Sequence, residues 1–277
     1  MLVGPISVDR YLDEGLVLPG GGALNMAYHW SRLAMQFRFI TRIGADETAG
    51  VMPFLQRHAI EYTDDLTVDG GTTASIDVTI GDDRQPWMDN FVPGVLSEFV
   101  TSGSEQVVLG SAAHMHAVLV DPVVAEVQRL GANRQLSGQI SGDFLSFRHY
   151  TIDRFAETMR YLHIGFIGWP GEPDDPKVEA IRDVAFDLQR LVVVTMGART
   201  TLVFDGRERP IVNEYPVSAV SVVGTTVGCG DAFIAAFLAS WWDAEDITRA
   251  VAEGQAAGAA ATSWFRPLPD IAYDLDV

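Results

Sequence analysis

The stretch Thr-Thr-Val-Gly-Cys-Gly-Asp-Ala-Phe at residues 225–233 separates two segments of different hydrophobic pattern. The β-branched run before it, Val217–Val223, is typical of a strand, and the apolar segment Asp231–Trp242 is typical of a helix. Backbone N–H groups at the start of a helix face outward and attract anions. The three amides of residues 228–230 therefore predict an anion cradle between a strand and a helix.

The side chains of this stretch leave alternatives open. Asp231 has the position of an ordinary capping acid, but a carboxylate beside a transferring phosphate also accepts a proton from an attacking hydroxyl. Cys229 is at a helix start, where the pKa of a thiol tends to fall. No histidine lies nearby in sequence to act as its base, so a small side chain in a tight turn is favoured over a nucleophile.

The rest of the chain alternates short apolar runs with helical patterns. This βαβα order predicts an α/β fold with a mostly parallel central sheet and helices on both faces. Leu191–Thr195 is typical of a strand buried on both sides. Further predicted elements include strands over Leu2–Val8 and Val107–Leu109 and a helix over Thr48–His58.

Two segments, 9–19 and 61–83, contain runs in which polar and apolar residues alternate. No helical pattern separates the runs within either segment. They predict a small β-strand lid beside the main sheet. No linker composition is visible, so residues 1–277 are expected to form a single domain.

A second glycine cluster, Gly20-Gly21-Gly22, precedes the helical pattern that contains Asn25. Glycines allow close approach of the backbone to a ligand, and a helix N-terminus favours oxygen-rich groups. A flexible turn before a helix is an equally good interpretation of the cluster alone.

Composition excludes several classes of function. The net charge of −18 repels phosphate backbones, so no nucleic-acid partner is expected. Lys177 is the only lysine, so a Walker-A motif is absent. The single cysteine excludes an internal disulfide, and the longest apolar run is too short to cross a bilayer. No membrane association and a cytoplasmic location are therefore expected.

Two signatures in the same order and at similar separation resemble those of the ribokinase-like (PfkB) carbohydrate kinase family. Residues 21–25, followed by Arg32-Leu33, by residues 42–46 and by Gly50, resemble its N-terminal signature, and residues 228–233 resemble its C-terminal one. Thr195-Met196-Gly197 resembles the family's strand end that contacts the nucleotide. The resemblance is good over residues 1–60 and 191–262.

The resemblance implies transfer of the γ-phosphoryl group of ATP, with Mg²⁺, to a hydroxyl of a sugar or sugar derivative. Asp231 is the implied general base, and the amides of Gly228, Cys229 and Gly230 form the implied anion hole. The other implied contacts are Asp9, Gly21, Gly22 and Asn25 for the acceptor, Thr195, Gly197 and Gln255 for the nucleotide, and Glu172 for the metal.

The sequence departs from the family pattern at two places. Thr225 replaces an aspartate that commonly helps to hold a monovalent cation, which argues against K⁺ activation. Of the family's Asn-x-x-Glu element, only Glu172 matches, because Trp169 occupies the asparagine position. Alternatives are therefore a nucleoside kinase of the same fold and a weakened or non-catalytic sugar- or nucleotide-binding relative. A homodimer through the lid is also possible on the family pattern.

Overall fold

The computed structural model describes residues 1–46 and 50–275. The strands, in chain order, are β1 Leu2–Val3, β2 Ser7–Tyr11, β3 Leu16–Gly20, β4 Phe39–Ile40, β5 Ile43–Gly44, β6 Thr67–Val68, β7 Ala74–Ile80, β8 Pro86–Val92, β9 His114–Val118, β10 Gln139–Asp143, β11 Ile164–Gly168, β12 Leu191–Thr195, β13 Thr200–Asp205 and β14 Ile211–Pro216. The helices are α1 Gly22–Arg32, α2 Val51–Arg57, α3 Gly103–Leu109, α4 Asp121–Ala132, α5 Ile152–Met159, α6 Pro176–Asp187, α7 Cys229–Ala244 and α8 Ile247–Ala261.

The chain divides into two units. The middle unit comprises Met1 and residues 101–219, and the outer unit comprises residues 2–100 and 220–277. The prediction of a single domain is not tested by this division and stays a prediction.

The middle unit is built on a sheet in the order β14-β13-β12-β11-β10-β9. Strands β9 to β12 are parallel to one another, and β13 and β14 are antiparallel additions at one edge. The side chains of residues 191–194 on β12 are fully buried, as the continuous β-branched run predicts. The fold class is therefore the predicted one, α/β with a mostly parallel sheet.

The outer unit contains a separate four-stranded sheet in the order β3-β2-β7-β8. Strand β2 pairs antiparallel with β3 and parallel with β7, and β8 pairs antiparallel with β7 at the edge. The segments 9–19 and 61–83 contribute to this sheet, and β8 lies beyond the second of them. Helices α1, α7 and α8 belong to the same unit.

Some predicted elements are wrong. The run Leu2–Val8 is interrupted at Gly4-Pro5, so its two halves join different sheets as β1 and β2. Val107–Leu109 lies in α3, which begins with a capping box between Ser102 and Glu105. Val217–Val223 lies outside the strands, because β14 ends at Pro216. The start of the predicted helix over Thr48–His58 falls on residues 47–49, which lie outside the described residues.

No helix in residues 1–46 and 50–275 has the length and apolar character that crossing a bilayer requires.

Candidate active site

Asp9 is buried beside the glycine cluster at residues 20–22. Its side chain is on β2, Asp9 is 5% exposed, and the Ser7 hydroxyl donates a hydrogen bond of 2.5 Å to Oδ1. Burial raises the pKa of this carboxyl to about 6, and the Ser7 hydrogen bond acts in the opposite direction. A Cβ at Gly20 would overlap the carboxylate, so a larger residue at this position would displace the Asp9 side chain.

Gly21 forms the turn between β3 and α1. Its φ of 99° is in the region that glycine alone adopts readily, and a Cβ there would lie 2.8 Å from the carbonyl oxygen of Pro5. Helix α1 begins at Gly22, and the Asn25 N–H donates to the Gly21 carbonyl at 3.0 Å. The predicted acceptor residues of this cluster are thus on neighbouring segments of the outer unit.

Asn25 joins this cluster to the start of α7. Its Nδ2 donates a hydrogen bond of 2.7 Å to Oδ2 of Asp231, although the two residues are 206 positions apart. The packing of α1 on α7 maintains the contact, because the Trp30 indole donates to the Ala235 carbonyl at 3.1 Å. Asn25 is 4% exposed, and its Oδ1 is buried with no hydrogen-bond partner among the described residues. An acceptor oxygen without a partner next to Asp231 is suited to receive a hydroxyl.

Helix α7 begins at Cys229, directly after Gly228. Gly228 caps the helix with φ 76°, where a Cβ would lie 2.7 Å from Pro267. The Cys229 N–H donates to the Thr226 carbonyl at 3.3 Å, whereas no hydrogen bond of the Gly228 or Gly230 N–H to the described residues is present. A Cβ at Gly230 would meet nothing within 4 Å. The two glycine amides and the open space at Gly230 are therefore the parts that can meet an anion.

The Cys229 thiol is unsuited to nucleophilic attack. Burial, followed by the nearby negative charge of Asp231, raises the pKa of the thiol to about 12. The tendency toward a lower pKa expected at a helix start is therefore reversed here. The interpretation of Cys229 as a small side chain in a tight turn agrees with this environment.

The loop before α7 is bonded to the turn between β7 and β8. The Thr225 hydroxyl donates to the Arg84 carbonyl at 3.1 Å, and the Thr226 hydroxyl donates to Oε1 of Gln85 at 2.8 Å. A carboxylate at position 225 could not donate to a carbonyl oxygen. Thr225 therefore contributes a hydrogen bond that the family's aspartate could not form. Sequence patterns did not reveal that the Arg84 carbonyl is its partner.

The other predicted nucleotide residues are on different elements. Gln255 is half-buried on α8, in the outer unit. Thr195 ends β12 in the middle unit, and Gly197, two residues later, has φ 60° with open space where a Cβ would be. Glu172, also in the middle unit, is exposed and forms an ion pair of 3.3 Å with Arg199.

Sequence reasoning missed two polar side chains near the strand ends of the middle unit. Asp143 ends β10, and burial raises the pKa of its carboxyl to about 7, while its Oδ1 accepts a 2.8 Å hydrogen bond from the Leu145 N–H. Trp169 follows β11, and its buried Nε1 has no hydrogen-bond partner in the described part of the chain. Carboxyl ends of parallel strands are where ligands bind in α/β sheets, which is the signal that could have selected these residues.

The chain is similar to known kinases. The sequence model described as pfkB family carbohydrate kinase matches residues 166–265. Fructoselysine 6-kinase of Escherichia coli (strain K12) is 25% identical over 258 residues, which cover 93% of this chain and 94% of the relative.

Two solved structures share the fold. Adenosine kinase from Sinorhizobium meliloti has a TM-score of 0.79 at 18% identity and covers 97% of this chain and 95% of its own. Arabidopsis thaliana ribokinase complexed with ribose and ATP has a TM-score of 0.76 at 18% identity, covering 97% and 94%. At this level of identity, the two likenesses concern the fold alone.

Proposed function

The chain belongs to the ribokinase-like pfkB family of carbohydrate kinases, and we propose that it transfers the γ-phosphoryl group of ATP to a hydroxyl of a sugar derivative. Asp231 is the proposed general base. The observation that carries this proposal is the hydrogen bond between Asn25 and Asp231, because it joins the glycine cluster at residues 20–22 to the start of α7.

The proposed chemistry assigns a separate task to each cluster. Asp231 takes the proton of the acceptor hydroxyl as that hydroxyl attacks the γ-phosphorus, while the bond from this phosphorus to the bridging oxygen breaks and ADP leaves. The N–H groups of Gly228 and Gly230 donate to the phosphoryl oxygens, whose charge must be stabilised during transfer. Asn25 holds the Asp231 carboxylate through Nδ2, and its unpartnered Oδ1 accepts a hydrogen bond from the acceptor.

The residues fit a nucleotide phosphate, because the open side of Gly230 gives an anion access to the helix start. Mg²⁺ would be brought by the nucleotide phosphates, and Glu172 is the candidate protein ligand. Among the described residues, no group of three or more metal-ligating side chains is present, which agrees with a metal held mainly by phosphate and water. Thr195, Gly197 and Gln255 are proposed contacts of the nucleotide.

The acceptor is proposed to bind at Asp9, Gly21, Gly22 and Asn25. A buried carboxylate forms strong hydrogen bonds to two hydroxyl groups, which suits a polyol. Fructoselysine, which the names of two relatives contain, is the first acceptor to test. A nucleoside acceptor, and binding of a sugar or nucleotide without turnover, are the alternatives that the same experiment distinguishes.

The test is release of ADP, coupled to an optical readout, over a panel of fructoselysine, free sugars and nucleosides. Asp231→Asn keeps the size of the side chain but removes the proton acceptor, and we expect turnover to fall roughly 10²–10⁴-fold while ATP binding persists. Asp243→Asn is the matched control, since Asp243 is an exposed acid near the other end of the same helix. Unchanged turnover in the Asp231 variant would remove this residue from the mechanism, and binding without ADP release would favour the non-catalytic alternative.

A homodimer through the four-stranded sheet of the outer unit is also proposed. Strand β8 is at the edge of that sheet and exposes the apolar residues Trp87, Met88, Phe91 and Val92, with Trp87 65% exposed. Exposed apolar edge strands are sites of association between chains. Trp87→Glu should shift the mass measured by light scattering from dimer to monomer, whereas a monomeric parent protein would contradict the proposal.

A further inference from the structure

A cavity of about 340 Å³ lies in the outer unit, at the end of the four-stranded sheet. Four segments form its wall, namely the end of β2 with the turn after it, the end of β7 with the turn after it, the loop before α7, and the residues after α8. The lining residues include Tyr11, Asp13, Glu14, Asp82, Arg84 and Phe265. This volume is sufficient for a substituent of several heavy atoms.

The charged side chains of the wall are mostly acidic. Glu14 forms an ion pair with Arg266, whereas Asp13 and Asp82 have no such pair within the described residues. The one cation of the wall, Arg84, has its guanidinium 5.9 Å from the centre of the Phe265 ring. The wall therefore favours a positively charged occupant.

The wall suits an organic cation better than a metal ion. A metal needs several ligands that converge within about 2.6 Å of one point. In residues 1–46 and 50–275, no group of three or more acidic, histidine or cysteine side chains meets that requirement. The acids of this cavity are spread around a volume that a protonated amine on a carbon chain can occupy.

Tyr11 provides a second and independent indication of a ligand. It is 3% exposed, it forms part of the cavity wall, and its buried hydroxyl has no hydrogen-bond partner among the described residues. An unpartnered buried hydroxyl destabilises a folded protein unless a ligand satisfies it. Tyr11 and Asp9 are two positions apart on β2, so their side chains lie on the same face of the strand.

We propose that this cavity is a subsite for a cationic amine carried by the acceptor, with Asp13 and Asp82 attracting its charge and the Tyr11 hydroxyl accepting a hydrogen bond from it. Asp9 then binds the sugar hydroxyls, while the amine occupies the neighbouring cavity. The inference rests on the proposed kinase function and narrows its acceptor to aminated sugars.

The test uses two synthetic acceptors, fructose joined to a four-carbon chain that ends in an ammonium group or in a hydroxyl group. Wild-type protein should show a kcat/KM about tenfold higher for the ammonium compound, because two partly exposed charge pairs together contribute this much. The double variant Asp13→Asn/Asp82→Asn should treat the two compounds alike, with its constant for the hydroxyl compound unchanged. Asp64→Asn/Asp69→Asn, two exposed acids elsewhere in the same unit, is the control that should keep the preference.

Tyr11→Phe separates binding from folding. Removal of a buried hydroxyl that has no partner should leave the midpoint of urea unfolding unchanged or higher, while the KM for the ammonium compound rises about fivefold. Equal constants for the two compounds in wild-type protein, or a preference that survives the double Asn variant, would overturn the subsite. If neither compound is phosphorylated, the kinase proposal fails by itself, and calorimetric titration of the ammonium compound into wild-type and double-variant protein still decides the subsite.

Discussion

Replacement of Asp9 by asparagine tests whether this carboxylate is retained for binding at a cost in stability. The pKa of about 6 in the folded protein compares with an ordinary value of 3.8. The neutral form is therefore favoured in the buried site, and ionisation at neutral pH opposes folding. At 1.36 kcal/mol for each factor of ten in proton affinity, ionisation of Asp9 lowers the free energy of unfolding by about 3 kcal/mol.

The sign of the pH dependence follows from this difference. Below pH 3.8 the carboxyl is protonated in both states and has no cost. As the pH rises through 3.8 toward 6, the unfolded chain loses its proton first, so wild-type stability falls. Asp9→Asn keeps the shape of the side chain without the charge, and its free energy of unfolding should exceed that of wild type by about 3 kcal/mol at pH 8 and about half as much at pH 5.

Urea unfolding of both proteins at the two pH values measures this difference directly. Asp64→Asn, a change at an exposed acid of the same unit, should show no such trend. In parallel, the KM for the acceptor should rise in Asp9→Asn while that for ATP moves little, because a charge-assisted hydrogen bond is lost. A variant that is less stable at pH 8, or a difference that does not grow with pH, would refute the reasoning.

Three further predictions concern the turn before α7. Cys229→Ser should keep turnover within about twofold. The wild-type thiol should react slowly with iodoacetamide at pH 7.5, since a pKa of about 12 leaves almost no thiolate. Rapid alkylation, detected by mass spectrometry, would contradict this prediction. Activity in K⁺ and in a tetraalkylammonium salt should be similar, because Thr225 replaces the family aspartate that commonly helps to hold a monovalent cation. A large stimulation by K⁺ would contradict this prediction. Gly228→Ala should lower the free energy of unfolding by roughly 1–3 kcal/mol, because position 228 has a positive φ and a Cβ there would overlap Pro267. Gly230→Ala should fold normally and raise the KM for ATP. Equal midpoints of urea unfolding for the two variants would contradict this prediction.

Local patterns predicted the parts of the fold that depend on local physics. The α7 segment is apolar almost without interruption, so its helix was predicted to within two residues at either end. The buried strand β12 was predicted with its observed bounds. The family signatures then selected Asn25 and Asp231, but no spacing in the sequence indicates that these two side chains contact each other across 206 residues.

Strand β8 and the cavity depend on partners distant in sequence, whereas α3 was missed although its signal is local. Strand β8, whose side chains are mostly exposed, has no apolar alternation and begins with proline, and its pairing with β7 is what makes it a strand. Val107–Leu109 was assigned by its β-branched residues, although the capping box of Ser102 and Glu105 favours a helix. The Tyr11 cavity was invisible because its wall combines four segments far apart in the chain.

The hydrogen bond from Thr225 to the carbonyl of Arg84 has a consequence for how this protein can change over evolutionary time. In this hydrogen bond the hairpin is held by the main chain of Arg84, so the residue type at position 84 matters little to it. The side chain at position 84 can therefore be exchanged while this hydrogen bond keeps the hairpin beside the loop before α7. Selection for a new acceptor could act on the recognition surface without first having to rebuild its support.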